Sequence, residues 1–263
     1  MEFSVDAIKS LLCDEIWHSH YSCLNDPFEL SVACNKVLPE TVAELAIYLE
    51  KANYFAPKSH REIERTFAKK ACLMNDYESL KELTLKKLDL LEQSLFESFN
   101  KNRAYISCMS KLNDQPLMWS HYAKSYSGIC IAYDIEAINK DGYEYKEVIY
   151  EKEFAVMDFK TILTDDNSEH MDQLDKVLRT KSTDWKYEEE VRSIRTRTDD
   201  GKALKGILRK CPNAIRAITF GHRMGEKELG LLRELASLKG VPLYIASPMN
   251  TEYKVSIEPY NPD

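Results

Sequence analysis

PLMWSHYAKSYSGICIAYD, Pro116–Asp134, is the stretch on which the reading of this chain turns. Pro116 suits the first position of a helix, because its φ is already set and it has no N–H to lose. A helix over about 116–124 then carries Met118, His121 and Tyr122 at spacings of three and four, with Trp119 beside Tyr122. GICIAYDI follows, a nearly continuous apolar run suited to a strand buried on both faces. Two readings stay open. Either the aromatics fill a helix–sheet interface while His121 holds a backbone carbonyl, or Trp119, His121 and Tyr122 wall a pocket that stacks nicotinamide or a base.

Upstream, Ser4 caps a short helix over 4–13 with Val5, Ile8, Leu11 and Leu12 on one face. EIWHSHYS alternates as a strand does, and LNDPFE breaks it with Asn25, Asp26 and Pro27. From 39 to 100 the pattern is helical in three amphipathic segments. AYISCMS reads as a strand. Downstream, YKEVIYE and EEEVRSIRT alternate, 155–180 reads as mostly helical, and AIRAITFG, PLYIAS and EYKVSIEP read as strands with a helix at about 224–237. This order predicts an α+β fold with a mixed, largely antiparallel sheet flanked by helices, not a βαβ repeat. The expectation is one α+β domain over 1–263 with a helical insertion at 39–100. No GxGxxG or GxxxxGK[ST] is present, so neither common phosphate loop has support.

Composition narrows the classes. The net charge of −7 argues against broad attraction to nucleic acid or an anionic membrane. A local basic groove from Arg179, Lys181, Lys186, Arg192, Arg195 and Arg197 stays open. The 7 cysteines are odd in number and form no CxxC, so neither a disulfide framework nor a zinc site is expected, and no metal. No stretch of about 18 apolar residues occurs, and the N-terminus lacks a basic-then-apolar signal, so a cytoplasmic protein with no membrane partner is expected.

Two further constellations carry chemistry. In LNDPFEL, Asn25, Asp26 or Glu29 points into a cleft at the end of a strand, or the segment is only a turn whose Phe28 plugs the core. In DWKYEEEVRSIR, a strand from Glu188 to Ile194 would put Glu188, Glu190 and Arg192 on one face. That is either an exposed salt-bridge ladder or a pair of cleft carboxylates, oriented by Arg192 and fenced by Trp185 and Tyr187. His18 and His20 share a face that reaches either the cleft or solvent. Asp134 is read as a cap, and Cys108 and Cys130 as inert core thiols.

LNDPFE, MWSHYA with GICIAYD, and WKYEEEVR, in that order, resemble bacterial and phage-borne domain-of-unknown-function family 2971. The resemblance spans about residues 14–225 and includes AITFGHRM, where the family has an apolar strand ending in Gly. Family members usually begin with an extra strand before the first helix; here MEFSVDAI stands in its place. A more remote resemblance, in layout, is to ADP-ribosyltransferase-like folds. It implies a split mixed sheet, NAD as substrate and a late-strand Glu-x-Glu. Glu190 is then the main carboxylate and Glu188 its partner, with Arg192 orienting them. Trp119, His121 and Tyr122 line the nicotinamide pocket, with Trp185, Tyr187, Asn25 and Asp26 around it. A toxin or defence role would follow, against a protein or nucleic-acid target that the residues do not name. Cleaving nicotinamide from ribose builds positive charge that a carboxylate stabilises. Two alternatives stand beside this one. One is a non-catalytic module that binds a nucleotide, another small molecule or a protein. The other is a metal-dependent nuclease or hydrolase using His121, Asp26, Glu188 and Glu190 with Mg²⁺ or Mn²⁺.

Overall fold

The computed structural model describes residues 1–54, 61–101, 104–140, 144–163, 167–196 and 205–261. Helix α1 (Val5–Cys13) starts where the cap predicts, with the Ser4 hydroxyl accepting from Ala7 N at 3.3 Å. Strand β1 (Glu15–His20), a 3-10 turn at Tyr21–Cys23 and short strand β2 (Val32–Asn35) follow. Helices α2 (Val42–Tyr54), α3 (Arg61–Leu73) and α4 (Tyr77–Lys101) occupy the segment read as helical. Leu45, Leu49, Ala71 and Leu80 form their shared apolar seam.

Strand β3 (Ala104–Ser110) leads to α5 (Pro116–Tyr122), β4 (Ile129–Tyr133) and α6 (Ile135–Lys140). Next come the short strands β5 (Lys146–Glu147), β6 (Ile149–Glu151) and β7 (Ala155–Asp158). Helices α7 (Phe159–Leu163) and α8 (Asn167–Arg179), strand β8 (Thr180–Ser182), a 3-10 helix (Thr183–Glu188) and β9 (Glu190–Thr196) continue the chain. It closes with β10 (Gly206–Lys210), β11 (Ile215–Gly221), α9 (Glu226–Lys239), β12 (Leu243–Pro248) and β13 (Val255–Pro259).

The fold is α+β, as expected. A five-stranded sheet runs β10-β1-β3-β9-β5 with every pairing antiparallel. A four-stranded sheet runs β13-β12-β11-β4, and only β11 and β12, joined through α9, are parallel. Two parallel pairs, β2-β7 and β6-β8, complete it. The reading of 155–180 as mostly helical is corrected at its start, where Ala155–Asp158 pairs with β2. A four-residue strand offers too few positions for a period of two to stand out.

The opening stretch is the joint between layers. Ile129 and Ile131 pack with Leu11 of α1 and Leu232 of α9. Cys130, pointing the other way, joins Trp119 and Ala123 at α5. The strand expected to be buried on both faces is so only at its start: Ile129 is fully buried, whereas Ala132 is exposed because β4 lies at the edge of its sheet. Between α5 and β4, Lys124, Ser125 and Tyr126 all have positive φ (47°, 52° and 68°). This left-handed turn is tied down by Gly128 N to Ala123 O at 2.8 Å and Arg223 N to Tyr126 O at 3.0 Å. Asp134 caps α6, its carboxylate accepting from Glu136 N and Ala137 N.

Candidate functional site

On β9 the pleat puts Glu190 and Arg192 on one face, and across β3 they stand opposite Ser110 and Cys108. The Arg192 guanidinium donates to Glu190 from Nε at 2.6 Å and from Nη2 at 3.2 Å. Its other edge forks onto Glu29 at 2.5 and 3.0 Å. Lys181, at the centre of β8, donates to Glu190 at 2.9 Å and to Glu188 at 2.6 Å. Glu188 accepts the Tyr122 hydroxyl at 2.6 Å, and Asn25 Nδ2 donates to the Tyr122 oxygen at 2.8 Å. One continuous chain of bonds thus runs Asn25–Tyr122–Glu188–Lys181–Glu190–Arg192–Glu29.

The charged side chains of this chain are at most 4% exposed. Such burial is tolerable only because each charge is matched and bonded. Burial would raise the Glu190 carboxyl, but Arg192 and then Lys181 overcome it and hold it down at about 2. Burial likewise works against the charge on Lys181 and Arg192, and the neighbouring carboxylates outweigh it, so both are held more firmly protonated than usual. Burial pushes Glu29 up even against Arg192, while Arg192 is held charged with Glu29 among the causes. We read the pair as ionised, because a two-pronged fork at hydrogen-bond distance is the geometry of guanidinium with carboxylate. Burial and the Glu188 bond push Tyr122 well up, so its phenol stays a donor and does not serve as a base at neutral pH.

The three sequence constellations therefore converge, with individual roles differing from expectation. Glu188 is not on the strand. It ends the 3-10 helix, and Glu189 separates it from β9 with φ 41°. The turn, not the pleat, aims its carboxylate at Lys181. The exposed-ladder reading falls, since both acids are buried. Trp119 is core: 3% exposed, with its indole N–H on Asn113 O at 2.7 Å and its ring stacked on Tyr126. His121 is exposed and meets the Tyr122 ring edge-on at 6.5 Å. Asp26 is turned onto its own loop, accepting from Phe28 N at 2.9 Å, while Asn25 and Glu29 reach the network. Phe28 does not plug the core. It is exposed beside Phe154, and Leu30 is buried instead. Trp185 and Tyr187 are half-buried neighbours, and Lys181 Nζ lies 4.8 Å from the Trp185 ring centre.

Other expectations change as well. His18 and His20 are buried on the opposite face of the sheet from Arg192, reaching neither cleft nor solvent. Cys108 is exposed where a core thiol was expected. Surrounding protein and the Glu190 charge still raise its thiol well above the ordinary value, so it remains protonated. Of the residues read as a basic groove, Lys181 and Arg192 are spent inside the network, and Arg179 pairs with Asp175. Arg197 lies outside the described residues. Among the described residues no group of three or more His, Cys, Asp or Glu is placed to hold a metal ion, so His121, Asp26, Glu188 and Glu190 do not form the ligand set of the metal-dependent alternative. No described helix is long and apolar enough to cross a membrane.

Tyr150, whose hydroxyl accepts from Glu190 N at 2.8 Å, was not singled out from the sequence, and Lys181 was read only as part of a basic groove. Both arrive through the parallel β6–β8 pairing. These strands of three residues leave no periodic signal.

Residues 118–193 match the family model described as Protein of unknown function (DUF2971), which covers the second and third constellations. No curated protein and no solved structure matches the chain.

Proposed function

From the premise that this chain belongs, over residues 118–193, to the DUF2971 family, we propose that the surface end of this network handles a dinucleotide of the NAD type in an ADP-ribosyltransferase-like way. In this reading Glu188, rather than Glu190, is the carboxylate that meets the ligand. The observation that carries the proposal is the convergence of three distant motifs on one buried chain of bonds that opens to the surface at Asn25 and Tyr122. Concentrated, oriented charge beside an accessible aromatic rim is typical of functional sites.

The chemistry follows from charge. When the bond between nicotinamide and ribose breaks, its electron pair leaves with nicotinamide and positive charge develops on the ribose. An acceptor nucleophile then bonds to that carbon and gives up its proton to solvent. Glu29, Glu188 and Glu190 face only Lys181 and Arg192, so the described network carries a surplus negative charge, the sign that stabilises such a cation. Glu190 accepts from Lys181, twice from Arg192 and from Cys108, and serves as the frame. Glu188 is held by Tyr122 and Lys181. A ribose hydroxyl replacing the Tyr122 phenol would leave it equally bonded. His121, Trp185 and Tyr187 supply ring surface nearby.

The test is thermal unfolding with and without NAD in EDTA, followed by nicotinamide release. The wild type is expected to gain stability with NAD and to release nicotinamide, while Glu188→Gln stays folded and releases none. Release retained in a folded Glu188→Gln would refute the catalytic assignment. One observation favours a non-catalytic nucleotide-binding module: both candidate carboxylates are buried and already ion-paired. That reading expects stabilisation by NAD with no product.

A further inference from the structure

Strands β2 and β7 form a parallel pair by themselves, with Val32 opposite Ala155, Ala33 opposite Val156 and Cys34 opposite Met157. One face of the pair is core: Val32, Ala155 and Met157 are buried with Val177 of α8. The other face is apolar too. Ala33 and Val156 lie on it, and both are exposed, Val156 by 52%. By the same alternation Phe154, just before β7, shares this side and is 50% exposed. The Phe28 ring lies 6.0 Å from the Phe154 ring and is 60% exposed. Parallel strands are found with both faces covered, and here one face of apolar side chains meets water.

The charges at the rim of this face decide what fits it. Glu151, Lys152 and Glu153 run directly up to Phe154 and are all exposed. Among the described residues none of the three has an ion-pair partner within the chain. A nucleic acid or an anionic lipid would bring like charge to the two acids. A second copy of this chain brings the same run, in which lysine meets acid and acid meets lysine, together with the same apolar face. Charge and hydrophobicity are both self-complementary, as a two-fold interface requires.

We propose that two copies of this chain pack their β2–β7 faces together about a two-fold axis, with Phe28, Ala33, Phe154 and Val156 at the centre and the charged run at the rim. Packed sheets stand about 10 Å apart, a gap that phenylalanine and valine side chains from both sides fill. The patch is small, so the association is weak and depends on concentration. It also borders the buried network: Arg192 forks onto Glu29, the residue after Phe28, so the pairing steadies the loop that carries Glu29. The dimer does not depend on the nucleotide reading.

The experiment is sedimentation velocity of the full chain from about 1 to 200 μM, in wild type, Phe154→Ser, Lys152→Glu and the double variant Lys152→Glu with Glu153→Lys. The substituted side chains are exposed, so the buried face of the strand pair stays intact, and circular dichroism checks it. The wild type is expected to pass from one chain to two as concentration rises. Phe154→Ser should raise the dissociation constant by roughly 10-fold or more. Lys152→Glu should raise it by about 3-fold, and the charge-swapped double variant should return towards wild type. A wild type that stays monomeric at the highest concentration overturns the assignment and leaves the face to a partner of another kind. A dimer that neither Phe154→Ser nor Lys152→Glu weakens overturns it as well.

Discussion

Glu190 illustrates what a carboxylate needs in order to stay buried. It gains two charged donors and a thiol, and the backbone N–H of the same residue is held by Tyr150. Removing its charge leaves Lys181 and Arg192 undercompensated. Glu190→Gln is expected to lower stability by about 3–5 kcal/mol in urea unfolding at neutral pH. Tyr122→Phe strips Glu188 of a donor and should cost about 1.5–3 kcal/mol in the same assay. The pH dependence separates two residues. Glu190 has a folded value of about 2 against an ordinary 4.5, so its contribution is present above 4.5 and is lost as pH falls towards 2. His18 is depressed from 6.5 to about 4, first by burial and with Arg209 and Arg195 adding to it. The neutral folded form therefore contributes above pH 6.5, and that contribution is lost as pH falls towards 4. Unfolding midpoints measured across this range should lose the upper segment in His18→Gln and the lower one in Glu190→Gln.

At the scale of elements, the site depends on turns more than on the strands themselves. The left-handed run Lys124–Tyr126 sets α5 across the sheet, and with it Tyr122. Gly221 is pressed against this turn: a Cβ there would lie 2.1 Å from the Tyr126 carbonyl oxygen. Backbone cannot yield as a flexible side chain can. Gly221→Ala is expected to destabilise by about 1–3 kcal/mol in thermal or urea unfolding, and a variant as stable as wild type would contradict the close approach. The left-handed Glu189 plays the matching part on the other side, letting Glu188 and Glu190 reach the same lysine from a helix end and from a strand.

For the molecule as a whole, the buried ionic chain ties β9 of the five-stranded sheet to β8, α5 and the loop after β1. A ligand that binds only the folded state raises stability by mass action, by about 2.7 kcal/mol at 100 times its dissociation constant. If the NAD reading holds, the melting shift should grow with NAD concentration and shrink in Tyr122→Phe. A shift of equal size in that variant would place the ligand away from Tyr122.

Much of this was legible in the residues alone. The apolar run at Ile129–Tyr133, the Pro116 helix start, the Ser4 and Asp134 caps and the helical 39–100 segment follow from local periodicity and capping, which need no distant partner. The chemistry-bearing motifs around Asn25, Tyr122 and Glu190 were also visible as unusual local groupings. Who touches whom was decided by tertiary structure. Lys181 enters through a three-residue parallel strand, and Glu188 through a turn that broke the expected alternation. Trp119 goes to the core, and Cys108 to an exposed position, because of which helix or loop covers each face. Spacing along the chain sets which side chains share a face, whereas the burial that makes an ion pair strong or a ring available depends on what the rest of the fold lays over that face.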